Sequence, residues 1–301
     1  MRTLSWHEKC RPTLLRYIEQ RTGKKPMMTI ALGALCVNGL VIAADTNVVM
    51  DDGSKSQTMK VETLKKPEGG FVIANAAMDG NAAKTLVSNI LADIKGNHIT
   101  DLAYFESLLT DRMTLWASAH SKPPSVQFVV GASLGPVPEH RHDLRIAALY
   151  FCEPPNTVVR KTEHDDSDGY VAIGSGAAVT DPLHKILFRS WLKSPRVRLA
   201  EVAYLMCRAK ADNALCGGRT TAVFLRDRDQ EPIRITPVDM QFAEDHCGTL
   251  DYLLGMTADA VITQTDESVV AFSNSLASQV VNVGTKLRNL KFHSLSGEVM
   301  D

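Results

Sequence analysis

The chain has 301 residues, 45% of them hydrophobic, with 33 Lys+Arg against 34 Asp+Glu and a formal net charge of -1. That much apolar material can bury a sizeable core, which excludes a mainly disordered chain. The balanced charge excludes binding of nucleic acid or an anionic membrane through a bulk field. No stretch approaches the roughly 18 consecutive apolar residues of a membrane span, and the residues before Pro26 lack the apolar segment of a secretory signal, so a cytoplasmic location is expected. Six cysteines without a Cys-x-x-Cys pair point to reduced thiols, not to a disulfide framework or a zinc site. Neither a metal nor a cofactor is expected.

Residues 1–27 are rich in Arg and Lys, hold one short amphipathic stretch from Thr13 to Gln20, and read as an N-terminal arm or propeptide. From Met28 the pattern changes to short apolar runs. Thr29–Val37 and Leu40–Ala44 flank Asn38-Gly39, a strong two-residue hairpin signal. A third run, Gly70–Ala77, leads to Asp79-Gly80-Asn81, which supplies turn and cap for a helix running to about Lys95. Ala83, Leu86, Val87, Ile90, Leu91 and Ile94 share one face of it.

A second helix is expected from about Thr100 to Ala119, opened by Thr100 or Asp101 and closed before Lys122-Pro123-Pro124. Strands follow at Val126–Ala132, Arg145–Phe151, Thr157–Arg160 and Tyr170–Ile173. After Gly174-Ser175-Gly176 come helices at Asp181–Leu192 and Leu199–Ala211, then strands at Thr220–Leu225 and Ile233–Thr236. Runs of strands separated by pairs of helices argue for an α+β sandwich of antiparallel sheets with helices on the outer faces. Residues 238–301 resolve only into an apolar stretch, Val269–Phe272, and a helix at Ser275–Leu290. They read as a C-terminal extension of a domain spanning 28–237. His140-Arg141-His142-Asp143 lies in a polar connector with no second ligand cluster, and reads as connector, not metal site.

The chemistry-bearing pattern opens the domain. A strand, the Asn-Gly turn and a second strand ending in Ala43-Ala44-Asp45 return Asp45 beside the start of the first strand. Lys60 follows fifteen residues later. If Thr29 were the first residue of the mature chain, its hydroxyl would be a nucleophile and its α-amine the base. A terminal amine titrates near 7.7–8.0, and a neighbouring ammonium from Lys60 would disfavour its protonated form further. Asp45 would hold Lys60 charged and in place.

These residues resemble the proteasome-type N-terminal-nucleophile hydrolases, namely proteasome β subunits and the bacterial HslV peptidases. The resemblance covers roughly residues 28 to 236. It is carried by the Thr29-to-Asp45 spacing, Lys60-Val61, the Gly80-bearing strand-to-helix turn, Ala172-Ile-Gly-Ser175-Gly and Cys216-Gly217-Gly218. It implies a four-layer αββα sandwich of two antiparallel sheets, the Ntn-hydrolase fold, and a threonine protease acting on peptide or other amide bonds without a cofactor. By resemblance Thr29 is nucleophile and base, Asp45 and Lys60 its support, and Ser175 the hydroxyl near the amine. Val48, Ile73 and Ala77 would face the substrate side chain.

Three positions depart from the family pattern. Asn213 stands for a carboxylate, with Asp212 one residue away; Cys216 stands for a serine; and Asn75 aligns with the glycine whose N–H completes the oxyanion hole. Met28 precedes Thr29, so the amine is free only if the arm is removed by processing, or if translation begins at Met28 and that methionine is then removed. The resemblance further implies a homo-oligomeric ring, an unfolded polypeptide substrate and an ATP-dependent unfoldase as partner. The alternative is a non-catalytic structural subunit whose arm, with Lys24-Lys25, blocks Thr29 and serves assembly. A third reading turns the same nucleophile on a non-peptide amide.

Overall fold

In the computed structural model the described residues are 29–49, 55–121, 123–134, 147–155, 157–161, 169–187, 193–213, 215–226, 231–263 and 266–300. The expected arm over 1–27, Met28, and His140, His142 and Asp143 lie outside them. The strands are β1 (Ile30–Cys36), β2 (Gly39–Asp45), β3 (Asn47–Val49), β4 (Lys55–Gln57), β5 (Val61–Lys66), β6 (Gly69–Ala77), β7 (Val126–Leu134), β8 (Ala147–Glu153), β9 (Thr157–Lys161), β10 (Tyr170–Gly174), β11 (Thr220–Arg226), β12 (Pro232–Arg234), β13 (Phe292–His293) and β14 (Val299–Met300). The helices are α1 (Gly80–Gly96), α2 (Leu102–Ser118), α3 (Ala177–Leu187), α4 (Pro195–Asp212), α5 (Pro237–Thr263) and α6 (Asp266–Arg288).

Two antiparallel sheets of five strands, ordered β10-β1-β2-β11-β12 and β5-β6-β7-β8-β9, form the middle of the molecule. Period-2 alternation sorts their side chains into separate cores. Along β1, Ile30, Leu32, Ala34 and Cys36 face α4 and α5, where Leu199, Val202, Met206, Met240 and Ala243 pack on them. Ala31 and Leu35 face the other way, against Val72, Val129 and Leu149 of the second sheet. Gly33 sits on that inner face because a Cβ there would meet Leu149 Cδ1 at 2.5 Å. On the far side of the second sheet, Phe71, Phe128 and Tyr150 pack under α1 and α2, and Phe105 stands edge-on to Tyr150 with ring centroids 5.4 Å apart. The result is the four-layer αββα sandwich expected.

Local chemistry sets the helix boundaries. Asp79 caps α1 by accepting from the N–H groups of Asn81 and Ala82 at 2.9 and 3.1 Å, and Asp101 caps α2 through Tyr104 N–H at 2.8 Å. Ser194 caps α4 with Pro195 in its first turn, and Thr236 Oγ1 accepts from Asp239 N–H at the start of α5. The strand expected at Ile233–Thr236 is shorter, and Pro237 opens α5 instead of a loop. The ambiguous stretch Val269–Phe272 and the helix expected from Ser275 are one helix, α6.

The C-terminal segment packs into the sandwich. Phe292 and Met300 complete the core under the first sheet. Buried Glu244 of α5 accepts from Lys210 Nζ of α4 at 2.7 and 3.0 Å and also from Thr220 Oγ1 of β11. Leu253, Leu276 and Val283 join α5 to α6. Among the described residues no helix is long and apolar enough to cross a membrane.

Candidate active site

Pairing of Ala31 with Ala44 across the β1–β2 hairpin brings Asp45, the last residue of β2, beside Thr29, which precedes β1. Thr29 Oγ1 donates to Asp45 Oδ1 at 2.5 Å. Lys60 arrives from the second sheet, one residue before β5; its Nζ donates to Asp45 Oδ1 at 2.6 Å, to Thr29 Oγ1 and to the Asn47 carbonyl. The remaining carboxylate oxygen, Asp45 Oδ2, accepts from Gly217 N–H at 2.9 Å. Asp45 is fully buried and Lys60 is 6% exposed, so the ion pair survives because each polar atom is met by a partner.

Burial pushes the Lys60 ammonium below the ordinary lysine value, opposed by the charge and hydrogen bond of Asp45. Burial prevails, so Lys60 releases a proton more readily than a surface lysine and is suited to proton traffic with the hydroxyl it touches.

Ser175 meets the main chain of Thr29: its Oγ donates to the Thr29 carbonyl at 3.4 Å, and Gly176 N–H donates to the same oxygen at 3.4 Å. Gly174 makes this approach available. Its φ is +81°, and a Cβ there would lie 2.2 Å from the Thr29 carbonyl oxygen. The Gly174 N–H is held by Gln127 Oε1 at 3.1 Å. Cys216 Sγ stands 3.8 Å from Ser175 Oγ. Burial, aided by the charge of Asp45, pushes its thiol up to about 12, which keeps it protonated and unreactive near neutrality.

Asp212, Asn213 and Ile73 fall elsewhere. Asp212 ends α4 paired with Arg208 at 2.6 Å, and its side chain is 41% exposed; Asn213 Oδ1 accepts from Leu215 N–H at 3.0 Å. Among the described contacts neither reaches Thr29, Asp45 or Lys60. Their expected support is corrected to the Gly217 N–H, which reaches Asp45 directly. Ile73 is fully buried with Phe71, Ala83 and Leu86 under α1, not open to substrate. The backbone of Val48 pairs with Ser56 in the short β3–β4 hairpin. The Asn75 N–H, expected as the oxyanion donor, already donates to the Lys60 carbonyl at 3.2 Å, and Asn75 Nδ2 donates to the same oxygen at 3.3 Å.

A cleft opens beside Thr29. Its polar lining comes from Thr29, Asn47, Thr58, Lys60 and Asn75, its apolar lining from Met59, Ala77 and Met78, and Gly80 and Lys84 of α1 complete it. Asn47 and Lys84 lie outside the motif but carry readable signals. Asn47 lies two residues beyond Asp45, on the same face of an extended chain, and Lys84 lies one helical turn beyond Gly80. Among the described residues no group of three or more His, Cys, Asp and Glu is placed to hold a metal.

Facing antiparallel sheets between helical layers, with Thr29 at the head of the first strand, define a proteasome-like Ntn-hydrolase fold. Among solved structures the chain is similar to Anbu (ancestral beta-subunit) from Yersinia bercovieri, with 14% identity, a TM-score of 0.61 and coverage of 76% of this chain and 97% of that one. It is similar to Anbu from Hyphomicrobium sp. strain MC1 at 18% identity and a TM-score of 0.61, covering 79% and 100%. The helical assembly of the Anbu complex from Pseudomonas aeruginosa gives 14% identity and a TM-score of 0.61, covering 79% and 99%. At these identities the likeness fixes the fold. No protein-family model matches the chain, and no curated protein matches it. The structural neighbours correct the sequence resemblance: it pointed to proteasome β subunits and HslV, whereas Anbu is a distinct family among the proteasome-like Ntn relatives.

Proposed function

We propose that this protein is a threonine hydrolase of peptide or other amide bonds, with Thr29 as an N-terminal nucleophile. The observation that supports this best is the convergence of Thr29 Oγ1, Asp45 and Lys60 at hydrogen-bond distance, with all three residues buried at the head of the cleft. Thr29 Oγ1 would attack the substrate carbonyl, its own freed α-amine would take the hydroxyl proton and return it to the leaving amine, and water would release the ester-linked acyl group. Lys60, made easier to deprotonate by burial, and Asp45 would set the electrostatics of that transfer. Ser175 would hold the Thr29 main chain in register.

The reading requires that residues 1–28 be removed, and it treats 1–27 as propeptide and 28–237 as the hydrolase domain, with 238–301 a C-terminal extension that packs into that domain's core. Because an Anbu complex has been solved as a helical assembly, we take this chain to be a homo-oligomer that admits extended or unfolded polypeptide; an ATP-driven unfoldase would be its natural supplier. A second reading, a structural subunit with a blocked Thr29, is favoured by one observation: the Asn75 N–H is already bonded to Lys60. Two measurements test the main reading. The intact mass of protein from its native cell should begin at Thr29, and Thr29→Ala should abolish hydrolysis across a peptide and small-amide panel while Thr29→Ser retains part of it. An assembled chain that keeps residues 1–28, or hydrolysis surviving in Thr29→Ala, would refute it.

A further inference from the structure

We propose that the cleft selects substrates carrying a carboxylate on the side chain adjacent to the scissile bond, glutamate above aspartate, and that Lys84 is the residue that reads it. This rests on the Thr29 reading and names the substrate class for it. The argument starts from a charge census. Among the described lining residues Lys60 and Lys84 are cationic and none is a carboxylate. Lys60 is committed to Asp45, Thr29 and the Asn47 carbonyl. Lys84 is exposed and has no hydrogen-bond or ion-pair partner among the described residues.

Asp79, five residues before Lys84, caps α1 through Asn81 and Ala82 N–H and forms no ion pair with Lys84. A free ammonium thus stands at the rim of a cleft holding a second, buried ammonium. The Lys60 charge is balanced by Asp45 at 2.6 Å, so Lys84 carries the uncompensated charge of the lining: it attracts an anionic group entering the cleft and repels a cationic one. Length follows from the walls. Met59, Ala77 and Met78 offer apolar surface to methylene groups, so a glutamyl stem buries more than an aspartyl one before its carboxylate meets Lys84 Nζ or the donors on Thr58 and Asn75.

The test uses peptides identical except for Glu, Asp, Gln, Leu or Lys before the scissile bond, with the processed protein and its Lys84→Ala and Lys84→Glu variants. The expected kcat/KM for the Glu peptide exceeds that for Gln by about two- to fivefold, and the ratio shrinks with added salt. It should collapse toward one in Lys84→Ala and invert in favour of Lys in Lys84→Glu. Hydrolysis that depends on Thr29 but shows equal Glu and Gln rates, or a ratio untouched by Lys84→Ala, overturns the inference and leaves the hydrolase reading standing. Should none of the peptides be cleaved, the peptidase form of the hydrolase reading fails, and titration of the Glu and Gln peptides onto Thr29→Ala protein decides the selectivity. Tighter Glu binding that is lost in Thr29→Ala/Lys84→Ala supports it; equal binding overturns it.

Discussion

Replacing Asp45 with Asn isolates the electrostatics of the site with almost no change in volume. Asp45 is fully buried and accepts from Thr29 Oγ1, Lys60 Nζ and Gly217 N–H. An amide keeps one acceptor oxygen but turns an NH2 toward donors, and it leaves the buried Lys60 charge without a counter-charge. Breaking one side of a buried pair costs about 3–5 kcal/mol. The pH dependence has a definite sign. The folded pKa of Lys60 lies below its ordinary value of 10.5, with burial the larger cause and Asp45 resisting it. A group whose folded pKa is depressed binds fewer protons folded than unfolded. Stability therefore rises with pH across the window between its folded and unfolded values. Without Asp45 the folded value drops further, so the window widens downward. The deficit of Asp45→Asn should be largest at the acidic end of that window and should shrink as pH rises through it and Lys60 sheds its proton. Urea unfolding of both proteins at one fixed concentration across that range measures it. A deficit under about 1 kcal/mol, or one that does not change with pH, would mean that Lys60 is not the charged partner inferred here.

Two further outcomes are expected. Gly174→Ala forces a Cβ to within 2.2 Å of the Thr29 carbonyl oxygen at a φ of +81°; it should cost about 1–3 kcal/mol or more and lower the hydrolytic rate more than the same change at Gly80, where a Cβ meets nothing within 4 Å. Cys216, with its thiol pushed up to about 12, should resist iodoacetamide in the folded protein near neutral pH and react on unfolding; mass mapping of the labelled peptides reads this, and ready labelling of the native state would contradict the burial assigned to it.

Much of the frame was legible because short-range chemistry dictates it. Asn38 adopts a φ of 63°, as an Asn-Gly hairpin requires, and that one turn determines that Asp45 returns to Thr29. The caps at Asp79 and Asp101 could be read for the same reason. β5 escaped notice because it is an edge strand carrying Glu62, Lys65 and Lys66, charges that suit an edge and mask alternation. α3 begins at Ala177, four residues before the expected start, and carries Pro182 inside it, against the usual meaning of proline. In α5 the exposed Val238, Phe242 and Tyr252 spread apolar residues over both faces and blur the helical period. At the site, Asp212 misled because sequence adjacency was read as spatial support, although Arg208 one turn earlier marked its partner. Lys84 carried no motif; its position matters only once α1 is set beside β6.

The two oxygens of Asp45 belong to one rigid plane, so the carboxylate behaves as a steering linkage: one end is pinned by the Gly217 N–H and the other aims at the Thr29 hydroxyl. Lys60 Nζ and Ile30 N–H share that second oxygen with Thr29, so a tilt of the 216–218 turn would load all three contacts together.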